Sequence, residues 1–513
     1  MNQIRQIAIV LNDRSFEYDI YTLVIAFFPG IRTQVYDPGA EPETKPDLTV
    51  RAMILQERIC LAAGEEKQEI TPPSSAGRST YKNLIKRSLY EMLRNLCGRD
   101  LPWGNLTGIR PVKLAMQFLS EKSLPENALK GQGTGDQCAA MPQAETENAI
   151  MQDAEAEAAS RQMQERYFVS PKKADLAVRI AQREKKILQG IDTQNGYSLY
   201  IGIPFCPSIC LYCSFSSTPL GLWESRVDEY LDALTKEMAA CRTCFSGKKL
   251  HTVYVGGGTP TTLNPAQMER LLNAVEKNFD LSGVMEFTVE AGRPDSITRQ
   301  KLEVIRQHPV TRISVNPQTM NQETLDVIGR RHTVEDTIRA YETARSLGFD
   351  NINMDLIVGL PGEGIGQIEH TMEQIEALDP DDVTVHALAL KRAARLALHM
   401  DEYEKISFQA SDRIMERCEE GCRRLMMTPY YLYRQKNMAG NYENVGYAKQ
   451  GKAGLYNILI MEEVECILAC GASGSTKIVY GDGRIERVEN VKDVRNYLER
   501  IDEMIRRKLD ACG

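Results

Sequence analysis

Apolar and polar positions along the chain follow two periods, and the balance between them shifts from one stretch to the next. Gln6–Leu11 reads as a strand, Glu17–Phe28 as a helix, and Asp47–Ile70 as two strands of a meander. Ser79–Leu96 carries apolar residues at helical spacing, and Trp103–Pro111 (WGNLTGIRP) is a turn-rich segment ahead of another helix. Together these predict a small α+β domain over residues 1–120. Nothing in it has the spacing of a catalytic site, which leaves a structural or substrate-docking role. Between 121 and 163 the run GQGTGD gives way to Ala, Glu, Gln and Met with few aromatic or β-branched residues, the composition of a linker or a weakly structured helical insertion. Residues 121–196 therefore read as a linker and helical connection, with Cys138 incidental.

From residue 197 strand and helix alternate. Strand-like runs occur at Ser198–Ile203, Thr252–Val255, Glu286–Glu290, Arg312–Val315, Ile352–Val358 and Val383–Leu388. The segments between them, such as Ser225–Ala240, Ala266–Asn278 and Val334–Leu347, are long enough for helices. Repeated strand and helix at this spacing predicts a parallel sheet. Six units make a curved sheet, a partial (β/α)6 barrel over 197–400, with its working face at the C-terminal ends of the strands. Residues 401–513 read as a mixed α/β C-terminal region.

At 513 residues the chain exceeds one hydrophobic core. Its longest apolar stretch, Tyr21–Pro29, is too short to span a bilayer, and Met1–Arg14 lacks the apolar core of a signal peptide, so a cytoplasmic protein with no membrane partner is expected. The net charge of −8 argues against nucleic acid as a partner. Thirteen cysteines in a reducing compartment read as metal ligands or buried small hydrophobes.

Three of them carry the chemistry. In YIGIPFCPSICLYCSFSS (Tyr200–Ser217), Cys206, Cys210 and Cys213 follow the first barrel strand as CxxxCxxC. Three thiolates this close can each reach a different iron of one 4Fe–4S cubane, leaving the fourth iron open to chelate a substrate. A zinc site would want a fourth Cys or His at ligand spacing, and none of the six histidines lies here; the nearest is His251. The pairs Cys241/Cys244, Cys418/Cys422 and Cys466/Cys470 read instead as buried small hydrophobes. After the second strand, VGGGTPTTL (Val255–Leu263) lets backbone amides approach a ligand closely.

The ordered set IPFC…C..C, GGGTPT, EFTVEA, NPQTMNQETLDVIGRRH and INMDLIVGLPGE resembles the oxygen-independent coproporphyrinogen III oxidase family of radical S-adenosylmethionine (SAM) proteins over residues 198–400. The N-terminal extension and YYLYRQKNMAGNYENVGYAK (Tyr430–Lys449) look most like its coproporphyrinogen dehydrogenase HemZ branch. The resemblance implies a radical SAM barrel with a 4Fe–4S cluster and SAM as cofactors. Tyr200 and Tyr212 match residues that contact the cluster-bound SAM. Gly257, Gly258 and Thr259 match the motif that holds its methionine end, and Glu290 matches the carboxylate on its ribose. Gln318, Arg330 and Asp355 match polar positions lining the SAM pocket, where the oxidases can hold a second SAM.

Two positions depart from the family pattern: Gly202 stands where members carry His, and Phe215 where true oxidases carry a further Cys. The haem-handling branch shows a His-Asn pair before an aromatic pair, and here Gly440–Asn444 has no His. The implied activity is oxidative decarboxylation of coproporphyrinogen III to protoporphyrinogen IX. In it a 5′-deoxyadenosyl radical takes a hydrogen from a propionate, with a flavodoxin or ferredoxin as electron donor. Arg392 and Arg395 are candidates for holding the propionates, and no catalytic residue beyond the cofactor ligands is assigned. The alternative is a haem-binding or haem-transfer protein that keeps the cluster. Radical modification of tRNA is disfavoured by the acidic balance.

Overall fold

The computed structural model describes residues 4–40, 45–55, 57–108, 110–121, 143–213, 217–389, 410–435 and 438–512. Cys138, Phe215, Arg392 and Arg395 lie outside the described residues. The chain divides into two compact units, Met1–Gln182 with Arg434–Tyr442, and Arg183–Tyr433 with Glu443–Gly513.

In the first unit, β1 (Gln6–Leu11) lies between β2 (Arg32–Tyr36) and β3 (Leu48–Ile54), parallel to both, and β4 (Ile59–Ala63) and β5 (Glu66–Ile70) extend the sheet antiparallel. Helices α1 (Glu17–Phe27) and α2 (Arg78–Cys97) contribute Leu23, Val24, Leu89 and Leu93 to a core shared with Ile7, Ile9, Val50 and Leu61. Asp47–Ile70 thus holds three strands rather than two. Gly64, at φ 62°, turns the chain back once more. The third strand, EKQEI, is an edge strand almost wholly exposed, so no apolar alternation marks it. Beyond this sheet lie α3 (Pro111–Ser120) and α4 (Gln143–Tyr167).

The second unit begins within α5 (Pro171–Leu188) and is built on one sheet of 11 strands. Its centre is the predicted set: β6 (Gly196–Ile203), β9 (Lys249–Gly257), β10 (Glu286–Glu290), β11 (Arg312–Ser314), β12 (Ile352–Val358) and β13 (Asp382–Ala387), each parallel to the next. A two-residue ladder, β7 (Phe205–Cys206) with β8 (Thr218–Pro219), brackets the cysteine loop. Between the strands run α6 (Val227–Cys241), α7 (Pro265–Asn278), α8 (Arg299–Gln307), α9 (Gln322–Val327), α10 (Val334–Ser346) and α11 (Ile365–Leu378).

The C-terminal segments join this sheet at both edges instead of forming a unit of their own. After α12 (Asp412–Arg424), β14 (Thr428–Tyr433) and β15 (Asn444–Ala448) pair antiparallel beyond β13. After α13 (Leu455–Glu462), β16 (Cys466–Cys470) adds a seventh parallel strand beside β6, followed by β17 (Ser475–Val479) and β18 (Ile485–Glu489). The barrel strands are thereby relieved of open edges. Helices α14 (Val494–Glu499) and α15 (Ile501–Cys512) close the chain. The buried Glu237 carboxylate of α6 ties them down, accepting hydrogen bonds from Gly471 N (2.7 Å), Asn490 Nδ2 (2.8 Å), Tyr497 OH (2.7 Å) and Lys508.

One face of the parallel strands is polar. Ser198, Thr252, Glu286, Glu290, Arg312, Asn353, Asp355, Asp382 and Thr384 meet across neighbouring strands, as in the 2.7 Å bond between Ser198 and Thr252 and the 3.1 Å bond from Thr384 to Asn353. At the N-terminal ends of the strands this face is sealed. Glu286 accepts from the backbone N–H groups of Leu455 and Tyr456 at the start of α13, at 2.6 and 3.3 Å. Arg312 pairs with Asp382 at 2.7 Å. The polar face therefore leads to the C-terminal ends, where the cysteine loop lies. Among the described residues no helix is long and apolar enough to cross a membrane.

Candidate cluster and cofactor site

The loop of Cys206, Cys210 and Cys213 leaves β6 and is gripped on three sides. Gly258 N donates to Ile203 O at 2.7 Å and Thr259 N to Phe205 O at 2.8 Å, which lays the glycine loop across its entry. A Cβ at Gly257 would stand 2.9 Å from Ile203 O, and one at Gly258 2.6 Å from Phe205 O. Backbone-on-backbone packing thus demands those glycines, on top of any ligand they admit. On the second side Leu211 N donates to Ile328 O at 2.9 Å. On the third the Arg293 guanidinium reaches the Cys210 sulfur at 3.2 Å.

The donor set fits an iron–sulfur cluster. None of the three is in a disulfide, and Cys206 and Cys210 are buried. Burial pushes the Cys206 thiol up to about 11, against a lowering hydrogen bond from Thr259 at 3.4 Å. A thiolate there is costly unless cations balance it, and a metal centre provides them. Among the described residues no group of three His, Cys, Asp or Glu side chains is placed to hold a single metal ion.

The other expected residues gather nearby. Tyr200 on β6 stacks on Tyr254 of β9, ring centroids 6.2 Å apart, and Tyr254 stacks in turn on Tyr456 at 4.5 Å. Tyr254 donates its hydroxyl to Glu290 at the end of β10. Burial pushes the Glu290 carboxyl up to about 7, with the Tyr254 bond pulling the other way. Asp355 accepts from Asn316 at 2.7 Å and Asn353 at 2.8 Å. Burial acts to raise Asp355, and His386 and Asn353 more than offset it, holding the carboxyl below its usual range. Gln318 is buried with φ 68°, its N–H on Asp355 O and its carbonyl accepting from Ile357 N, both at 2.9 Å. A non-glycine residue held in the left-handed region is a strained position of the kind that collects at binding sites.

Arg330 does something the sequence did not suggest. Its buried guanidinium donates to Asn316 O (2.5 Å) and Gly292 O (3.4 Å) and hydrogen-bonds Tyr212, so it braces two loops and the cysteine segment. Tyr254, Asn316, Asn353, His386 and Arg293 escaped sequence reasoning. Tyr254, Asn353 and His386 had a signal, polar residues at every second position of otherwise apolar strands (VYVG, INMD, VTVH). At Gly202 the structure leaves little room, since a Cβ there would lie 3.3 Å from Ala472 O and 3.4 Å from the Tyr200 ring. The loop after β16 takes the room a larger side chain would need. Cys241, Cys244, Cys418, Cys422, Cys466 and Cys470 are all buried, as expected.

Residues 200–375 match the Radical SAM superfamily. Over 433 residues the chain is 36% identical to the oxygen-independent coproporphyrinogen-III oxidase-like protein HemZ of Bacillus subtilis, covering 83% of this chain and 80% of that protein. The chain belongs to the radical SAM family of oxygen-independent coproporphyrinogen III oxidase-like proteins. A 4Fe–4S cluster and SAM are the cofactors of this family and of this chain. Its members carry two kinds of name. The heme chaperone HemW of Bacillus subtilis is 37% identical over 195 residues, covering 38% of this chain and 51% of that protein. The oxygen-independent coproporphyrinogen III oxidase of Escherichia coli is 32% identical over 204 residues, covering 39% of this chain and 44% of that protein.

Proposed function

We propose that the chain is an enzyme that oxidatively decarboxylates coproporphyrinogen III to protoporphyrinogen IX, with its cluster on Cys206, Cys210 and Cys213. The observation that carries this is the polar strand face that holds Glu290 and Asp355, with Gln318 hydrogen-bonded beside it, near the cysteine loop. When bound, cluster and SAM supply a one-electron cleavage that yields a hydrogen-abstracting carbon radical. The chain's own residues bind and orient. Glu290 accepts from the ribose hydroxyls, Gly257, Gly258 and Thr259 present backbone to the methionine end, and Tyr200 and Tyr212 pack against the bound SAM. Each propionate loses one hydrogen atom, one carbon dioxide and one electron to leave a vinyl group. A flavodoxin or ferredoxin supplies the reducing electron, and a one-electron acceptor takes up the electron released.

Glu290 gives a pH signature. Burial pushes its carboxyl up to about 7, so the charged acceptor is the minor form below that value and the major form above it. SAM affinity measured by equilibrium dialysis is expected to rise as pH climbs from 6 to 8. Glu290→Gln is expected to cost about 1.5–3 kcal/mol at pH 8, the value of a hydrogen bond to a charged group, and to flatten the profile. Equal affinity in the variant at pH 8 takes Glu290 out of the site.

The relatives named as heme chaperones support a second reading, a haem carrier. Anaerobic incubation of the reconstituted protein with coproporphyrinogen III, SAM and a strong reductant separates the two. Conversion to protoporphyrinogen IX dependent on both SAM and reductant is the expected result. Release of 5′-deoxyadenosine without decarboxylated porphyrin, together with tight one-to-one haem binding, replaces the enzyme by the carrier.

A further inference from the structure

The cysteine loop has a cationic neighbour outside every motif that marks the site. Arg293 stands just past the end of β10, in AGRPDS, with its side chain 4% exposed. Its guanidinium is fixed from several directions. Nε and Nη2 clasp Asp295 at 3.0 and 2.7 Å, while Nη2 also meets Ser208 Oγ at 3.1 Å. The remaining nitrogen, Nη1, donates to Ser208 O and to the Cys210 sulfur, both at 3.2 Å. The carboxylate of Asp295 thus holds one edge of the fork and leaves another edge aimed at a cluster ligand.

We propose that Arg293 sets the reduction potential of the cluster by directing a guanidinium N–H at the Cys210 sulfur, an inference that rests on Cys210 being a cluster ligand. One-electron reduction by a low-potential donor adds a unit of negative charge that the sulfurs share. A cation at hydrogen-bonding distance from one sulfur stabilises the reduced form more than the oxidised form and raises the potential. Burial strengthens the effect, because little water screens the pair. Asp295 opposes it in part, yet its charge lies on the other side of the guanidinium, and the nearer charge dominates. Arginine suits the task better than lysine, since one planar fork can bind a carboxylate and still donate to the sulfur. A purely structural Arg293, bracing the loop through Ser208, would leave the potential where it was.

The test uses the full chain, reconstituted anaerobically, with iron and sulfide content measured before a redox titration followed by electron paramagnetic resonance. Arg293→Gln is expected to load its cluster and to disfavour reduction by about tenfold, which is 59 mV for one electron. Arg293→Lys, which keeps the charge, is expected to recover at least half of that shift. A loaded Gln variant with the wild-type midpoint overturns the proposal, and so does a Lys variant that shifts as far as Gln. Should the Gln variant not load, Asp295→Asn carries the test: removing the counter-charge is expected to raise the midpoint, and an unchanged or lowered midpoint overturns the proposal. Cys210→Ala tells the two failures apart. If it keeps a full cluster, the ligand assignment has failed; if it loses the cluster while Arg293→Gln titrates like wild type, only the role of Arg293 falls.

Discussion

Replacing any one of Cys206, Cys210 or Cys213 by alanine is expected to abolish the visible absorption of the anaerobically reconstituted protein, where the unaltered chain binds about four irons and four sulfides. The three thiols occupy one loop pinned by the backbone bonds of Gly258, Thr259 and Leu211. Cys241, at the end of α6, is buried in a different part of the unit, and Cys241→Ala is expected to keep a normal spectrum. SAM cleavage to 5′-deoxyadenosine should vanish with the cluster in all three loop variants. A normal cluster surviving in all three would place the iron–sulfur centre elsewhere in the chain.

Asp382→Ala is expected to destabilise the second unit by about 3–5 kcal/mol, read as a lowered denaturant midpoint with little change in slope. Arg312 and Asp382 are 2% and 0% exposed and meet at 2.7 Å, with Tyr430 OH donating to the same carboxylate oxygen at 2.8 Å. Removing Asp382 alone leaves a guanidinium in a dry interior without its hydrogen-bonded carboxylate and takes away the acceptor of Tyr430. Replacing both partners, Arg312→Met with Asp382→Leu, is expected to cost markedly less, because the two desolvation penalties disappear together. A double variant as unstable as Asp382→Ala would show that packing, and not the stranded charge, dominates. The pair lies at the end of the sheet away from the cysteines, so cluster content should follow folding and show no separate defect.

Much of the site was legible because its strongest signals are local. A cubane needs three thiolates on a short, turning loop, and CxxxCxxC just after a proline-punctuated strand end spells that out within eight residues, Cys206 to Cys213. Glu290 and Asp355 were named through the family resemblance, and each lies on a strand whose apolar residues already marked it, Glu290 at the end of β10 and Asp355 within β12. Arg293 could not be placed in this way. Its partner Cys210 is 83 residues away, and a lone arginine in a loop looks like any solvated charge. Arg330 was expected to line the SAM pocket, and its bonds to the carbonyls of Asn316 and Gly292 depend on how two loops fold beside each other.

The sequence by itself determined the six parallel strands, their helices and the cysteine and glycine loops, since periodicity records which side of each element is buried. It even recorded the polar strand face, through Ser198, Thr252, Asn353, Asp355, Asp382 and Thr384 at alternate positions, although that alternation runs opposite to the usual expectation of apolar-inward strands. Only the tertiary structure decided where the C-terminal segments go. The strand Cys466–Cys470 reads as a short apolar run whatever it pairs with, and its place beside β6 comes from register over more than 260 residues of chain, Cys466 opposite Tyr197. That pairing brings Ala472 against Gly202 and narrows the room for a side chain there. Hydrophobic patterning encodes burial residue by residue, whereas the choice of neighbour, and with it the charge set against Cys210, is settled when distant segments compete for the same edge.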